Sequence, residues 1–227
     1  MIELDSSEGG SAPLPKSPPE QIAPAKPALE AEHSFSRGHG NYLDRVLAGL
    51  ADHLRRVTVE VMDEGKSLGA GVLWPRGCVI TNAHVARRSV MAVRLSDGRC
   101  LEGRLLARDE SADLALLRVA GAGVRAAPIA DSNAARVGAL VVAMGHPLGV
   151  RGALTAGIIH AIGPITAGGR IWIQAAVRLA PGNSGGPLAD ASGRVMGLNA
   201  MVSGALALAI PMAHVERFVR GAGVELT

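Results

Sequence analysis

From position 57 onward, apolar residues recur at every second position or gather in short runs bounded by glycine, proline and small polar residues. A period of two marks strands whose alternate side chains point to opposite faces. Residues 57–62, 68–74, 79–82, 90–95, 100–107 and 114–119 form a first series of predicted strands, punctuated by Pro75-Arg76-Gly77, Ser96-Asp97-Gly98 and the polar stretch 108–111. A second series covers 140–144, 155–162, 171–175, 187–189, 195–199 and 205–210. Two successive groups of short strands predict an all-β fold of two packed antiparallel six-stranded barrels, the first over about 57–127 and the second over about 135–212. Ahead of them, Leu43, Val46, Leu47, Leu50 and Leu54 repeat at three and four residues, which predicts an amphipathic helix within 41–56, with Asn41 as its N-cap. Pro211 opens a short C-terminal helix, about 211–220. Residues 1–40 mix Pro13, Pro15, Pro18, Pro19, Pro24 and Pro27 with Ser, Glu, Lys and Ala. They cannot bury enough apolar surface to offset ordering entropy, so a disordered, semi-extended segment is expected there.

Composition sharpens this picture. Hydrophobic residues make up 48% of the 227-residue chain but aromatics only 2%, so Val, Leu, Ile and Ala must fill the cores. The 29 glycines and 13 prolines supply the turns that many short strands need. The net charge of +3 comes from scattered arginines, with few aromatics for base stacking, which argues against nucleic-acid binding. No run approaches the ~20 apolar residues that span a bilayer. Met1-Ile2-Glu3-Leu4-Asp5 opens no secretory signal, so the chain as written reads as cytoplasmic, or as periplasmic or envelope-located if its true start lies elsewhere. Cys78 and Cys100 could pair if their strands adjoin, although the apolar run around Cys78 fits a small buried core residue better. His146 reads as a loop residue beside Pro147, and the other histidines show no metal-ligand spacing. With no phosphate-binding loop or dinucleotide fingerprint either, no cofactor is expected.

The chemistry concentrates in Pro181-Gly182-Asn183-Ser184-Gly185-Gly186-Pro187. Glycines let the backbone take conformations closed to other residues and let N–H groups converge on a developing oxyanion beside a serine nucleophile. Upstream, a strand-like run ends in Thr81-Asn82-Ala83-His84, and Asp113 stands at the mouth of the apolar strand 114–119. In the order His84, Asp113, Ser184 the chain resembles trypsin-like serine proteases, most closely the bacterial HtrA/Deg type. The likeness runs over about 57–220 through Gly69-Ala70-Gly71-Val72, Asp131-Ser132, the run 138–145, Pro147-Leu148-Gly149, the run 155–159, Ile173-Gln174 and Ala209-Ile210-Pro211.

That resemblance implies a serine endopeptidase acting on extended or unfolded polypeptide, with His84 as general base, Asp113 orienting it, and the N–H groups of Gly182 and Ser184 as oxyanion hole. It implies that substrate pairs with a strand at Asn199, Ala200, Met201 and Val202. Arg178, six residues before Ser184, occupies the position that lines the primary specificity pocket. An inward Arg178 would favour an acidic side chain before the scissile bond. Because an unpaired buried arginine is costly, Arg178 is expected to face solvent, leaving Leu206, Leu208 and Ala209 to form a pocket for small aliphatic residues. Two features depart from the family. Gln174-Ala175-Ala176 stands where Gln-Thr-Asp is usual, and no PDZ domain is expected after the protease domain, 57–227. The Ala176 departure keeps a silent, chaperone-like binding protein as the alternative, and an esterase could use the same three residues. Relatives often trimerise through N-terminal aromatics, for which Phe35 and Tyr42 are the candidates here.

Overall fold

Strand after strand in this chain is apolar on both faces, and the computed structural model accounts for each face separately. It describes residues 37–223 apart from 122, 124, 132 and 133, so Phe35 and most of the proline-rich segment lie outside the described residues. Helix α1 (Arg37–Val57) leads into β1 (Thr58–Asp63), β2 (Lys66–Trp74), β3 (Cys78–Thr81), β4 (Val90–Arg94), β5 (Cys100–Asp109) and β6 (Leu114–Val119). Next come β7 (Leu140–Gly145), β8 (Ala153–Gly163), β9 (Trp172–Ala175), β10 (Pro187–Asp190), β11 (Val195–Ser203) and β12 (Leu206–Pro211), and α2 (Met212–Gly221) follows. The strands close into two antiparallel barrels, ordered β1-β2-β3-β6-β5-β4 and β10-β11-β12-β9-β8-β7. The expected architecture and all twelve strands are present.

Alternation divides the apolar side chains among three cores. Val59, Val61, Val79, Val93, Leu117 and Val119 fill the first barrel. Val141, Ala143, Ile159, Ile173, Leu188 and Ala209 fill the second. The alternate residues of the same strands, among them Val72, Ile80, Leu116, Val142, Met144, Leu198 and Leu208, point outward and pack barrel against barrel. Leu50 and Leu54 of α1 and Val215 and Val219 of α2 join that shared core. Burying each such side chain contributes on the order of 1.5–3 kcal/mol.

Some local expectations change. Asn41 lies inside α1 rather than at its cap, because the described helix already includes Arg37. Only the C-terminal half of the predicted apolar stripe docks: Leu50 and Leu54 are buried, Leu47 is half-buried, and Leu43 and Val46 are exposed. Cys78 and Cys100 are both free, since β6 separates β3 from β5.

Candidate active site

The site lies where three turns from the two barrels meet. His84 follows β3 on a turn anchored by Asn82, whose carbonyl accepts the N–H groups of Val85 and Ala86 at 3.1 Å each. The buried Asn82 side chain reaches across to donate to the Asp113 carbonyl at 3.0 Å. Asp113 itself is in the left-handed region, φ 54°, a conformation that L-residues adopt only when their surroundings hold them. The hold is visible. Asp109 accepts from Ser111 Oγ at 2.7 Å and the Ala112 N–H at 2.9 Å, hydrogen bonds that keep its carboxyl below the ordinary range. From the other barrel, Arg170 stacks 3.8 Å from the Trp172 ring centroid and donates to the Ala112 carbonyl at 2.7 Å. The turn thereby presents the Asp113 carboxylate to His84. Oδ2 lies 2.9 Å from Nδ1, and Oδ1 accepts the His84 N–H at 3.1 Å.

Ser184 comes from the second barrel, on the glycine turn between β9 and β10, and its own carbonyl accepts the Ala70 N–H of β2 at 2.7 Å. Gly185 is the reason the barrels can approach so closely here. Its φ is 82°, and a Cβ there would strike the Ala70 carbonyl and Thr81 Oγ1. The Ser184 hydroxyl donates to the Ala200 carbonyl at 3.0 Å. Ala200 is available for this because the β11–β12 register slips between Asn199 and Met201.

The backbone before Ser184 is held from behind by the segment that follows β7. Leu148 N–H donates to the Pro181 carbonyl and His146 N–H to the Gly182 carbonyl, both at 3.0 Å. A trans peptide carries its C=O and N–H on opposite sides, so seating the Pro181 carbonyl on Leu148 turns the Gly182 N–H the other way. Gly182 has φ 105°, and a Cβ would collide with the His146 carbonyl.

A cleft of about 330 Å³ opens over these groups, lined by Leu68, His84, the run 179–184, Ala200, Met201 and Val202. It therefore gathers His84, Gly182, Ser184, Ala200, Met201 and Val202 of the expected residues. Asp113 sits behind His84. Others fall elsewhere. Asn199 is fully buried, with its Nδ2 on the Pro187 carbonyl at 2.9 Å and its backbone bonded to Gly185 and Gly186. Arg178 is exposed, as expected. Leu206, Leu208 and Ala209 do not line the cleft: Ala209 points into the second barrel and Leu208 into the inter-barrel core. The apolar wall comes instead from Leu179, Ala180, Met201, Val202 and Leu68. Sequence reasoning missed Leu179 and Ala180, whose only signal is their place just ahead of the glycine turn. It also missed Arg170, which carried none.

The family described as "Trypsin-like peptidase domain" matches residues 69–198. A probable periplasmic serine endoprotease DegP-like of Ectopseudomonas mendocina is 40% identical over 66% of this chain and 34% of its own length. The mitochondrial serine protease HTRA2 of Drosophila pseudoobscura pseudoobscura is 32% identical over 82% of this chain and 48% of its own. The chain thus spans about a third to a half of the curated relatives it matches. Among solved structures, the HtrA-type protease AlgW with a decapeptide superposes with a TM-score of 0.72 at 25% identity, covering 77% of this chain and 66% of that one.

Proposed function

Since the chain belongs to the trypsin-like peptidase domain family, we propose that it is a serine endopeptidase cleaving extended or unfolded polypeptide segments. The observation that carries this reading is His84, with Nδ1 on the Asp113 carboxylate, lining the same cleft as Ser184. Asp113 fixes the tautomer that leaves Nε2 free to face the serine. For the reaction, the Ser184 hydroxyl would leave the Ala200 carbonyl and donate to that nitrogen. Oγ then attacks the scissile carbonyl carbon as His84 takes its proton, and the oxyanion forms against the Gly182 and Ser184 N–H groups. Collapse breaks the C–N bond, the amine leaves with the proton from His84, and water repeats the sequence to release the acyl group.

Substrate would lie along Ala200–Val202. Among the described residues, β10 pairs with β11 only as far as Leu198, so this stretch keeps an open edge for an added strand. Leu179, Ala180 and Val202 favour a small or medium aliphatic side chain before the scissile bond, and the exposed Arg178 gives no acidic preference. The periplasmic names of several relatives favour the cell envelope as the working compartment. Homo-oligomerisation, trimerisation included, is proposed through the N-terminal region, where Tyr42 is 68%, Leu43 58% and Val46 41% exposed.

Labelling with a fluorophosphonate tests the reaction type. Wild-type protein should be labelled and Ser184→Ala should not, and peptide hydrolysis should fall by about 10³-fold or more in the variant. Folded protein that stays unlabelled even with unfolded-protein ligands present would instead be a binding protein on a protease fold.

A further inference from the structure

The backing of the glycine turn contains one titratable side chain that the reaction above does not use. His146 is only 6% exposed and follows β7. Its main-chain N–H holds the Gly182 carbonyl, and the segment it opens holds the Pro181 carbonyl through Leu148. Its ring is wedged between the barrels. Nδ1 accepts the Gly152 N–H at 3.3 Å, closing the 146–152 segment on itself, and Nε2 is buried. An Nδ1 that accepts is unprotonated, so the ring in this arrangement is neutral with its proton on Nε2.

Charged groups border the cavity beside it. Glu60 of β1, itself 3% exposed, is paired with Arg94 of β4 at 2.9 Å. Arg151 belongs to the same segment as His146, and Arg55 of α1 lies over Gly152. Arg55, Glu60, Arg94, Arg151 and His146 border one cavity of about 260 Å³, through which a proton can arrive from solvent. Burial lowers the His146 pKa most; Glu60 and the Val59 carbonyl raise it, and Arg151 and Arg94 lower it.

Resting on the peptidase reading, we propose that His146 is a positioning residue that keeps the oxyanion loop set only while its ring is neutral. A proton taken up at Nδ1 replaces an acceptor with a donor directed at another donor, the Gly152 N–H. The 146–152 segment must then move, and the Pro181 and Gly182 carbonyls lose their fixed partners. The Gly182 N–H loses its aim while His84, Asp113 and Ser184 remain in place. This loss affects kcat rather than substrate binding, because the oxyanion donor acts in the transition state.

The test compares wild type, His146→Asn and His146→Ala. Asn keeps an acceptor at the Nδ1 position but cannot titrate. Steady-state peptide hydrolysis and amide hydrogen exchange of segments 146–152 and 180–183 are followed from about pH 5 to about pH 8, with exchange corrected for its intrinsic rate. Relative to its own alkaline plateau, wild-type kcat should fall about tenfold further at the acid end than that of His146→Asn, with KM moving in parallel in the two proteins. Protection of both segments should fall with pH in wild type and stay level in His146→Asn. His146→Ala should exchange quickly at every pH; if it fails to fold, His146→Asn carries the comparison alone. Superimposable normalised profiles, or wild-type protection that ignores pH, overturn the proposal. Absence of hydrolysis by wild type at every pH removes the peptidase reading instead, and the exchange data then decide the role of His146 by themselves.

Discussion

Arg170 shows how one residue can serve a site from a distance. Its guanidinium crosses from the second barrel to the Ala112 carbonyl, one residue before Asp113, while Trp172 supports its face. A hydrogen bond from a charged donor contributes roughly 1.5–3 kcal/mol, enough to hold a left-handed aspartate that would otherwise relax. Arg170→Ala should therefore lower kcat about tenfold with little change in KM, and Arg170→Lys should recover part of the loss. A KM change alone would place Arg170 outside the positioning of Asp113. The sequence brought out His84, Asp113 and Ser184 as candidates because each stands in a local pattern of its own: a strand end, a turn, a glycine run. Arg170 was illegible because its partner is 58 residues away and is a main-chain carbonyl, which leaves no trace in side-chain patterning. The pocket residues were misplaced for a related reason. Alternation along β12 says that Leu208 and Ala209 face opposite ways, but not that β11 and the 179–181 stretch provide the cleft wall instead.

At the scale of elements, α1 is the case where periodicity says too much. The same spacing runs through Leu43, Val46, Leu50 and Leu54, yet only Leu50 and Leu54 reach the inter-barrel core. A hydrophobic stripe records that a face is apolar, and what covers it depends on where the helix runs out of neighbours. Urea unfolding should separate the halves. Leu54→Ala should cost about 2–5 kcal/mol, and Leu43→Ala should stay within about 0.5 kcal/mol. Equal losses would mean that Leu43 is covered as well, within one chain or between copies. The strands were more legible because they are short apolar runs set off by Gly, Pro and Asp, and their limits shifted by no more than two residues, except in β11, whose ladder extends past its apolar part to Ser203.

Across the whole molecule, the buried histidine between the barrels ties stability to pH. Its folded-state pKa lies below the ordinary 6.5, chiefly through burial. The unfolded chain therefore binds more protons in this range, and stability rises with pH. The contribution of His146 is complete above about pH 6.5 and is lost as pH falls toward the lower folded-state value. Thermal melts should shift downward on acidification through that window, and His146→Asn should remove part of the shift. An identical shift in the variant would assign the effect to other groups. Assembly is read at the same scale. If the exposed face of α1 joins copies of the chain, Leu43→Glu with Val46→Glu should reduce the mass seen by light scattering to that of one chain. An unchanged mass would move the contact elsewhere. The core shared by the two barrels has a further result for how the molecule can be handled and altered. Neither half has a water-compatible exterior of its own, because the outer faces of β3, β6 and β7 are as apolar as their inner ones. A fragment ending between the barrels would expose that seam and precipitate, so the chain cannot be divided into exchangeable modules, and insertions are tolerated only at its polar turns.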